Sequence, residues 1–241
     1  MPDALGRQPG EALVSARGRS RRDFETIRRS VGERVWTALY QGVPTPTTGG
    51  LFAAEDLNKH RCQSSDIIGR VVSVDPSDSG TGDEAGILIM GWDDYGNVIV
   101  EEDHSAPMTS ATWSKEAVSL AISTGAGDIV YEAFTAEATY RAVLENAWHD
   151  IHRQAELLRQ TGGDTVAAAQ LWHDEGRGGD GLGAMQETLG ILDLVPVEDR
   201  MPFRLVPWRA RGDKTARAAG ARQASQTGRL RMLGEHRVLE N

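Results

Sequence analysis

The sequence predicts an α/β domain, a mixed β-sheet with helices on its faces, preceded by a helical and linker extension. Two observations carry this expectation. Three short β-branched runs follow one another between residues 67 and 102, separated only by loops, which is the pattern of a meander. Beyond them, helical stretches alternate with single strands, the order that places helices against a sheet.

Residues 1–22 are rich in Gly, Pro and Arg and read as loop or a mobile terminus. From Asp23 to Tyr40, apolar residues recur at Phe24, Ile27, Val31, Val35 or Trp36, and Leu39, a spacing of three to four that marks an amphipathic helix with Asp23 as its N-cap. The breaker-rich stretch Gly42–Gly50 (GVPTPTTGG) reads as a linker. Ile67–Val74 is a buried strand with Asp75 at its tip. Gly86–Trp92 and Asn97–Glu102 are the next two strands, joined by a turn at Asp94–Asn97. A helix over Thr112–Ser123 leads to a fourth strand, Gly127–Tyr131, ending at Glu132. A long helix spans Thr135–Leu158 with Tyr140, Val143, Leu144, Ala147 and Ile151 on one side. Residues 161–192 are Gly-rich and show no readable element. Phe203–Val206 is a fifth strand, Lys214–Thr227 a helix, and Arg229–Leu233 a last short strand. The domain division expected is 1–65 for the extension and 66–241 for the sheet domain.

Composition narrows the function classes. Among 241 residues, 39% are apolar, and no apolar run approaches the ~18 residues of a membrane span. The first residues lack the apolar core of a secretory signal. A lone cysteine, Cys62, excludes an internal disulfide and a thiolate zinc cluster. Together these point to a reducing cytoplasm. The net charge of −9 is unevenly spread: residues 35–199 carry −19, residues 200–241 carry +7 and residues 1–34 carry +3. A basic end beside an acidic body is suited to holding phosphates near metal-binding carboxylates. A solvated basic helix explains the same charges.

Asp75 and Glu132 each end a β-branched run, and ligands of open α/β sheets bind beyond the carboxyl ends of strands. Two such carboxylates on neighbouring strands suit Mg²⁺ or Mn²⁺, hard cations that prefer oxygen, and a pair of ions would activate water and steady the leaving oxygen of a phosphodiester. Acids also flank strands for no chemical reason, so the spacing leaves both readings open. Asp83, with Asp78 and Glu84 in the following loop, is an auxiliary metal ligand or part of a Gly/Asp-rich turn. Arg209, Arg211, Lys214 and Arg217, before and within the helix from Lys214, are placed to hold DNA phosphates or are solvated cations of a strand-to-helix loop. His149 and His152 share a helix face, but with His104 and His173 they read as surface histidines for want of a third ligand at a known spacing. The six Trp residues are scattered and read as core or rim rather than as a base-stacking platform. No nucleophile elbow and no phosphate-binding P-loop occur, so acyl transfer is unsupported and there is no ATP site in this chain.

Three stretches, in this order, resemble the large subunit of tailed-phage terminases. Residues 28–52 (RRSVGERVWTALYQGVPTPTTGGLF) are similar to the segment closing the family's ATPase domain, where a Leu-Tyr-Gln-x-x-Pro run precedes Gly-Gly-x-Phe. Residues 71–91 (VVSVDPSDSGTGDEAGILIMG) resemble the first nuclease hairpin. Residues 128–134 (DIVYEAF) and 212–234 (GDKTARAAGARQASQTGRLRMLG) resemble the region of the second acid and the late Gly-x-Lys-x-x-Arg-Ala helix with its short strand.

The resemblance implies an RNase H-like fold and a nuclease that cuts concatemeric viral DNA with metal held by acidic residues, of which Asp75 and Glu132 are the first and second. The implied partners are double-stranded DNA, the terminase ATPase domain or small subunit, and the portal. The family's third acid sits on a helix after the last short strand, and nothing in this sequence matches it. The sequence therefore also admits a catalytically impaired terminase piece that only binds DNA or packaging proteins. Another RNase H-like nuclease, such as a resolvase, fits the Leu-Tyr-Gln segment poorly.

Overall fold

The computed structural model describes residues 18, 20–27, 54–63, 66–77, 84–133, 136–209 and 214–234, of which 54–56 and 214–217 are described by backbone alone. The chain forms two compact units, residues 1–50 and 51–241. In the first, residues 21–27 are helical. Ser20 and Asp23 bond reciprocally: the Ser20 N–H donates to Asp23 Oδ2 at 2.7 Å and the Asp23 N–H to Ser20 Oγ at 3.3 Å. This is a capping box. The expected cap is thus corrected: Asp23 lies inside the first turn, because Ser20 supplies the oxygen for the free helix N–H groups. The rest of that expected helix and the Gly42–Gly50 linker lie outside the described residues.

The second unit begins ahead of the sheet with α1 (Ala54–Lys59). Then follow β1 (Gly69–Asp75), β2 (Gly86–Trp92), β3 (Val98–Asp103), α2 (Ser110–Thr124), β4 (Asp128–Glu132), α3 (Glu137–Gln160), α4 (Thr165–Asp174), α5 (Gly181–Leu189), a single 3-10 turn at Leu192–Leu194, β5 (Arg204–Trp208), α6 (Lys214–Gln226) and β6 (Leu230–Met232). The six strands lie in the order β5-β4-β1-β2-β3-β6. β1, β2 and β3 form the antiparallel meander; β4 runs parallel to β1, β5 parallel to β4, and β6 parallel to β3. The result is the mixed, helix-flanked α/β sheet of the RNase H-like class.

Strand alternation divides the sheet into two faces. Val72, Val74, Ile87, Ile129, Tyr131 and Leu205 point to one face and are buried with Trp113, Ala117, Val118 and Ala121 of α2 and Leu144, Trp148 and Ile151 of α3. Each large side chain buried there contributes about 1.5–3 kcal/mol, so this layer dominates the core. On the other face, Leu88 and Met90 of β2, Val100 of β3 and Leu230 and Met232 of β6 pack with Leu57 of α1. Cys62 extends that side by an isolated parallel bridge to Leu233.

The ends of elements are fixed by short-range chemistry. Thr109 caps α2 by accepting from the Thr112 N–H, and Gly125, at φ +66°, closes it. The β2–β3 turn is organised by buried Asp93, which accepts from the backbone N–H groups of Tyr95 and Asn97 and from the Asn97 side chain. The Asn97 amide, ahead of the opposing effect of burial, holds the Asp93 carboxyl below its ordinary pKa. Residues 161–192, unreadable in sequence, form α4, α5 and the 3-10 turn, with Asp164 and Asp180 as N-caps.

Candidate functional site

β1, β4 and β5 run parallel, so their carboxyl ends share one rim, where β2 begins and β3 ends. Asp75 and Glu132 are the last residues of β1 and β4, inside the strands rather than just beyond them. The β1–β4 ladder pairs Val72 with Ile129 and Val74 with Tyr131, and Asp75 and Glu132 are the next residue on each strand. Val74 and Tyr131 face the α2/α3 core, so by alternation Asp75 and Glu132 point to the opposite face, the first exposed and the second half-buried. Adjacent strands lie about 4.8 Å apart, which sets the two residues side by side on that face.

On the other side of Asp75, the β1–β2 ladder places Gly86. A Cβ at Gly86 would stand 3.3 Å from the Asp75 Cβ. Glycine therefore leaves space beside the carboxylate that any side chain would fill. The β4–β5 ladder places Trp208 opposite Glu132, and Trp208 is 49% exposed. One row thus crosses four strands on one face: Trp208, Glu132, Asp75, Gly86.

The core reaches this row from beneath. Trp113 of α2, wholly buried, donates its indole N–H to the carbonyl of Ser77 at 3.1 Å, two residues past Asp75. Ser77 itself is buried. The end of β3 is tied down by His104, whose Nε2 lies 2.8 Å from Glu102 and whose Nδ1 lies 3.0 Å from Glu116 of α2. With a carboxylate beside each ring nitrogen, His104 links β3 to α2. Beneath Glu132, the Tyr131 hydroxyl is pushed up in pKa by burial, against the opposing charge of Arg141.

Asp103, unnoticed in the sequence, also ends a strand at this rim. Its Oδ1 accepts from the Ser105 N–H at 3.0 Å, while its Oδ2 is buried without a hydrogen-bond partner among the described residues. It is registered with Leu88 on β2. That places it two strands across and two residues along from Asp75, about 12 Å between Cα atoms and too far to share one cation directly. Among the described residues, no group of three His, Cys, Asp or Glu side chains is disposed to hold a metal ion.

The remaining candidates fall as follows. Asp78 and Asp83 lie outside the described residues, and Glu84 is exposed before β2. Arg209 follows β5 and is paired with Glu137 of α3, its Nε and Nη2 at 3.0 and 2.7 Å from one carboxylate oxygen. Arg211 lies outside the described residues. Lys214 and Arg217 are in the first turns of α6 by backbone.

The histidine expectation needs one correction. His149 is exposed beside Asp199 and His173 bonds the Arg177 carbonyl, but His152 is 5% exposed. It packs on Trp148 at 5.3 Å between ring centroids, with Nε2 3.2 Å from the Val197 carbonyl. Packing of the segment before β5 onto α3 buries it. The tryptophans divide: Trp113, Trp148 and Trp172 are core, whereas Trp92 and Trp208 are exposed at opposite ends of the sheet.

No protein-family model and no curated protein matches the sequence. Among solved structures, the chain is similar to a mutant nuclease domain of the large terminase subunit gp2 of bacterial virus Sf6, determined with manganese and β-thujaplicinol. The identity is 20%, the TM-score 0.33, and the match covers 42% of this chain and 44% of that one. The matched region is thus less than half of that domain's length. No described helix is long and apolar enough to cross a membrane.

Proposed function

We propose that this chain is a metal-dependent DNA endonuclease domain of a phage packaging terminase, cutting viral DNA at the rim formed by Asp75 and Glu132. The observation that carries the reading is the register. Residues 57 apart in sequence end neighbouring parallel strands, on one face, next to a glycine that leaves room. The donor set fits the group this chemistry needs. Both ligands are carboxylate oxygens, and Mg²⁺ is held by one or two carboxylates while keeping its waters and substrate phosphates. Mn²⁺ accepts the same oxygen donors.

In this reading Asp75 and Glu132 hold the cation, and Gly86 keeps the phosphate's approach open. The bound ion supplies Lewis acidity and a more acidic water. The chain's own cations position the DNA. Arg209, held against Glu137, exchanges that carboxylate for a backbone phosphate, and the start of α6, with Lys214 and Arg217 and flanked by Arg211, offers backbone N–H groups and positive charge. The hydrogen bond from Trp113 to Ser77 fixes the chain just past Asp75, so the carboxylate is held in place before substrate arrives.

The test is nicking of supercoiled plasmid by the purified chain with Mg²⁺, Mn²⁺ or EDTA. Metal-dependent nicking that disappears in Asp75→Ala and in Glu132→Gln, both still folded by circular dichroism, is the expected result. Salt-sensitive DNA binding without nicking, and without heat on titration with Mn²⁺, would mean a DNA-binding piece rather than an enzyme.

A further inference from the structure

We infer that Trp208 is a stacking platform for an unpaired DNA base beside the phosphate at Asp75 and Glu132, adding affinity for single-stranded, gapped or frayed DNA to the duplex binding of the nuclease. The inference rests on the nuclease reading above and adds a substrate class to it.

Three observations converge. First, Trp208 is registered directly with Glu132, and it shares that residue's face: Leu205 points to the core, so Val206 and Trp208 point the other way. Its Cα is two strand spacings from that of Asp75, about 10 Å, the span of a nucleotide or two. Second, the ring is about half exposed at 49%, although this fold buries Trp113, Trp148 and Trp172 almost completely. The second exposed indole among the described residues, Trp92 at 39%, differs in kind. It lies at the opposite end of the sheet, and a Cβ at Gly69 would fall 2.2 Å from its ring, so the backbone of β1 occupies one side of it. Third, the next residue, Arg209, keeps a cation at the same rim: its side chain is 74% exposed and its guanidinium is held by Glu137 at the start of α3, on the side of the strand away from the ring.

An exposed aromatic face holds single strands by stacking a base, while cations along the same rim take the backbone. A base inside a duplex is stacked on both sides and hydrogen-bonded to its partner, so it has no face to offer. An end, a gap or a frayed step does. The carboxylates alone, being negative, repel DNA without a cation, and the stack supplies an attraction that does not depend on one.

The experiment measures binding in EDTA, where cleavage does not interfere. Fluorescence polarisation of a labelled oligothymidylate and of a labelled closed hairpin duplex is followed with the whole chain. Removal of one stacked base costs about 1–3 kcal/mol, or roughly 5- to 150-fold in affinity. Trp208→Ala is expected to lose that factor on the oligothymidylate, Trp208→Phe to retain most of the affinity, and Trp92→Ala to bind as the wild type. Hairpin affinity is expected to change little. Tryptophan emission falls on adding oligothymidylate to the wild type, and less so in Trp208→Phe. Equal oligothymidylate affinity of wild type and Trp208→Ala overturns the inference, as does an equal loss on the hairpin or no oligothymidylate binding by any variant. The two readings separate cleanly. Plasmid nicking that needs Asp75 but ignores Trp208 leaves the nuclease standing and removes the stack. Trp208-dependent binding without metal-dependent nicking does the reverse.

Discussion

Replacing Trp113 by Phe tests whether the core positions the rim. The substitution keeps an aromatic ring where Trp113 meets Tyr140 edge-on, at 6.0 Å between centroids, and removes the N–H that holds the Ser77 carbonyl. Both Trp113 and Ser77 are buried, so water does not readily replace the lost donor. A buried carbonyl left without a partner costs about 1–3 kcal/mol. The smaller ring gives up about two buried carbons, which at ~0.8 kcal/mol each adds about 1.5 kcal/mol. The sum, about 2.5–4.5 kcal/mol, lowers the Tm by roughly 5–18 °C at ~2–4 °C per kcal/mol for a chain of this size. Urea unfolding followed by circular dichroism gives the first quantity and thermal melts the second. Nicking measured well below the new Tm is expected to fall as well, because the bond fixes the chain two residues past Asp75. A stability loss below about 0.5 kcal/mol would refute the energetic reasoning. Full nicking by a clearly destabilised variant would show that the bond supports the core and not the rim.

Three further outcomes follow from the fold. Gly91→Ala puts a Cβ 2.7 Å from Ile67 Cγ2 and 2.8 Å from Glu101 Oε1, where Glu101 pairs with Arg70; overpacking of about 1–3 kcal/mol is expected in urea unfolding, and an unchanged midpoint would contradict it. Because the Asp93 pKa is lowered on folding, its contribution is complete above the ordinary value of 3.8 and drains away as pH falls through the folded one; Asp93→Asn is expected to lose that acid limb in thermal melts, and parallel curves would refute it. Asp164→Ala removes the oxygen that accepts from the Val166 and Ala167 N–H groups, with an expected cost of about 1 kcal/mol by chemical denaturation.

The strands and long helices were legible because their periodicities are strong, and most ends moved by only one or two residues. Asp75 and Glu132 stood out for a local reason, a carboxylate closing a β-branched run. Their shared register was not legible, since pairing between distant strands leaves no mark in either one. The Gly-rich stretch hid α4 and α5 because Gly162, Gly163, Gly176 and Gly179, all at positive φ, are the turns between short helices. The readable signal there was Asp164 and Asp180, each an N-cap two residues ahead of an apolar residue, Val166 and Leu182. Asp103 at the rim and the burial of His152 were missed because exposure and burial at these positions are decided by partners far along the chain.

The pair α4–α5 has a small interior of its own: Leu157 and Leu158 from the end of α3, with Ala168, Ala169, Trp172 and Met185, form a cluster separate from the layer beneath the sheet. A module sealed this way opens by itself at a lower free energy than the whole domain. Amide exchange should therefore run ahead in α4 and α5 while the strands stay protected, and a protease entering at the glycines near 176–179 would trim the molecule without dismantling the surface where Asp75 and Glu132 stand.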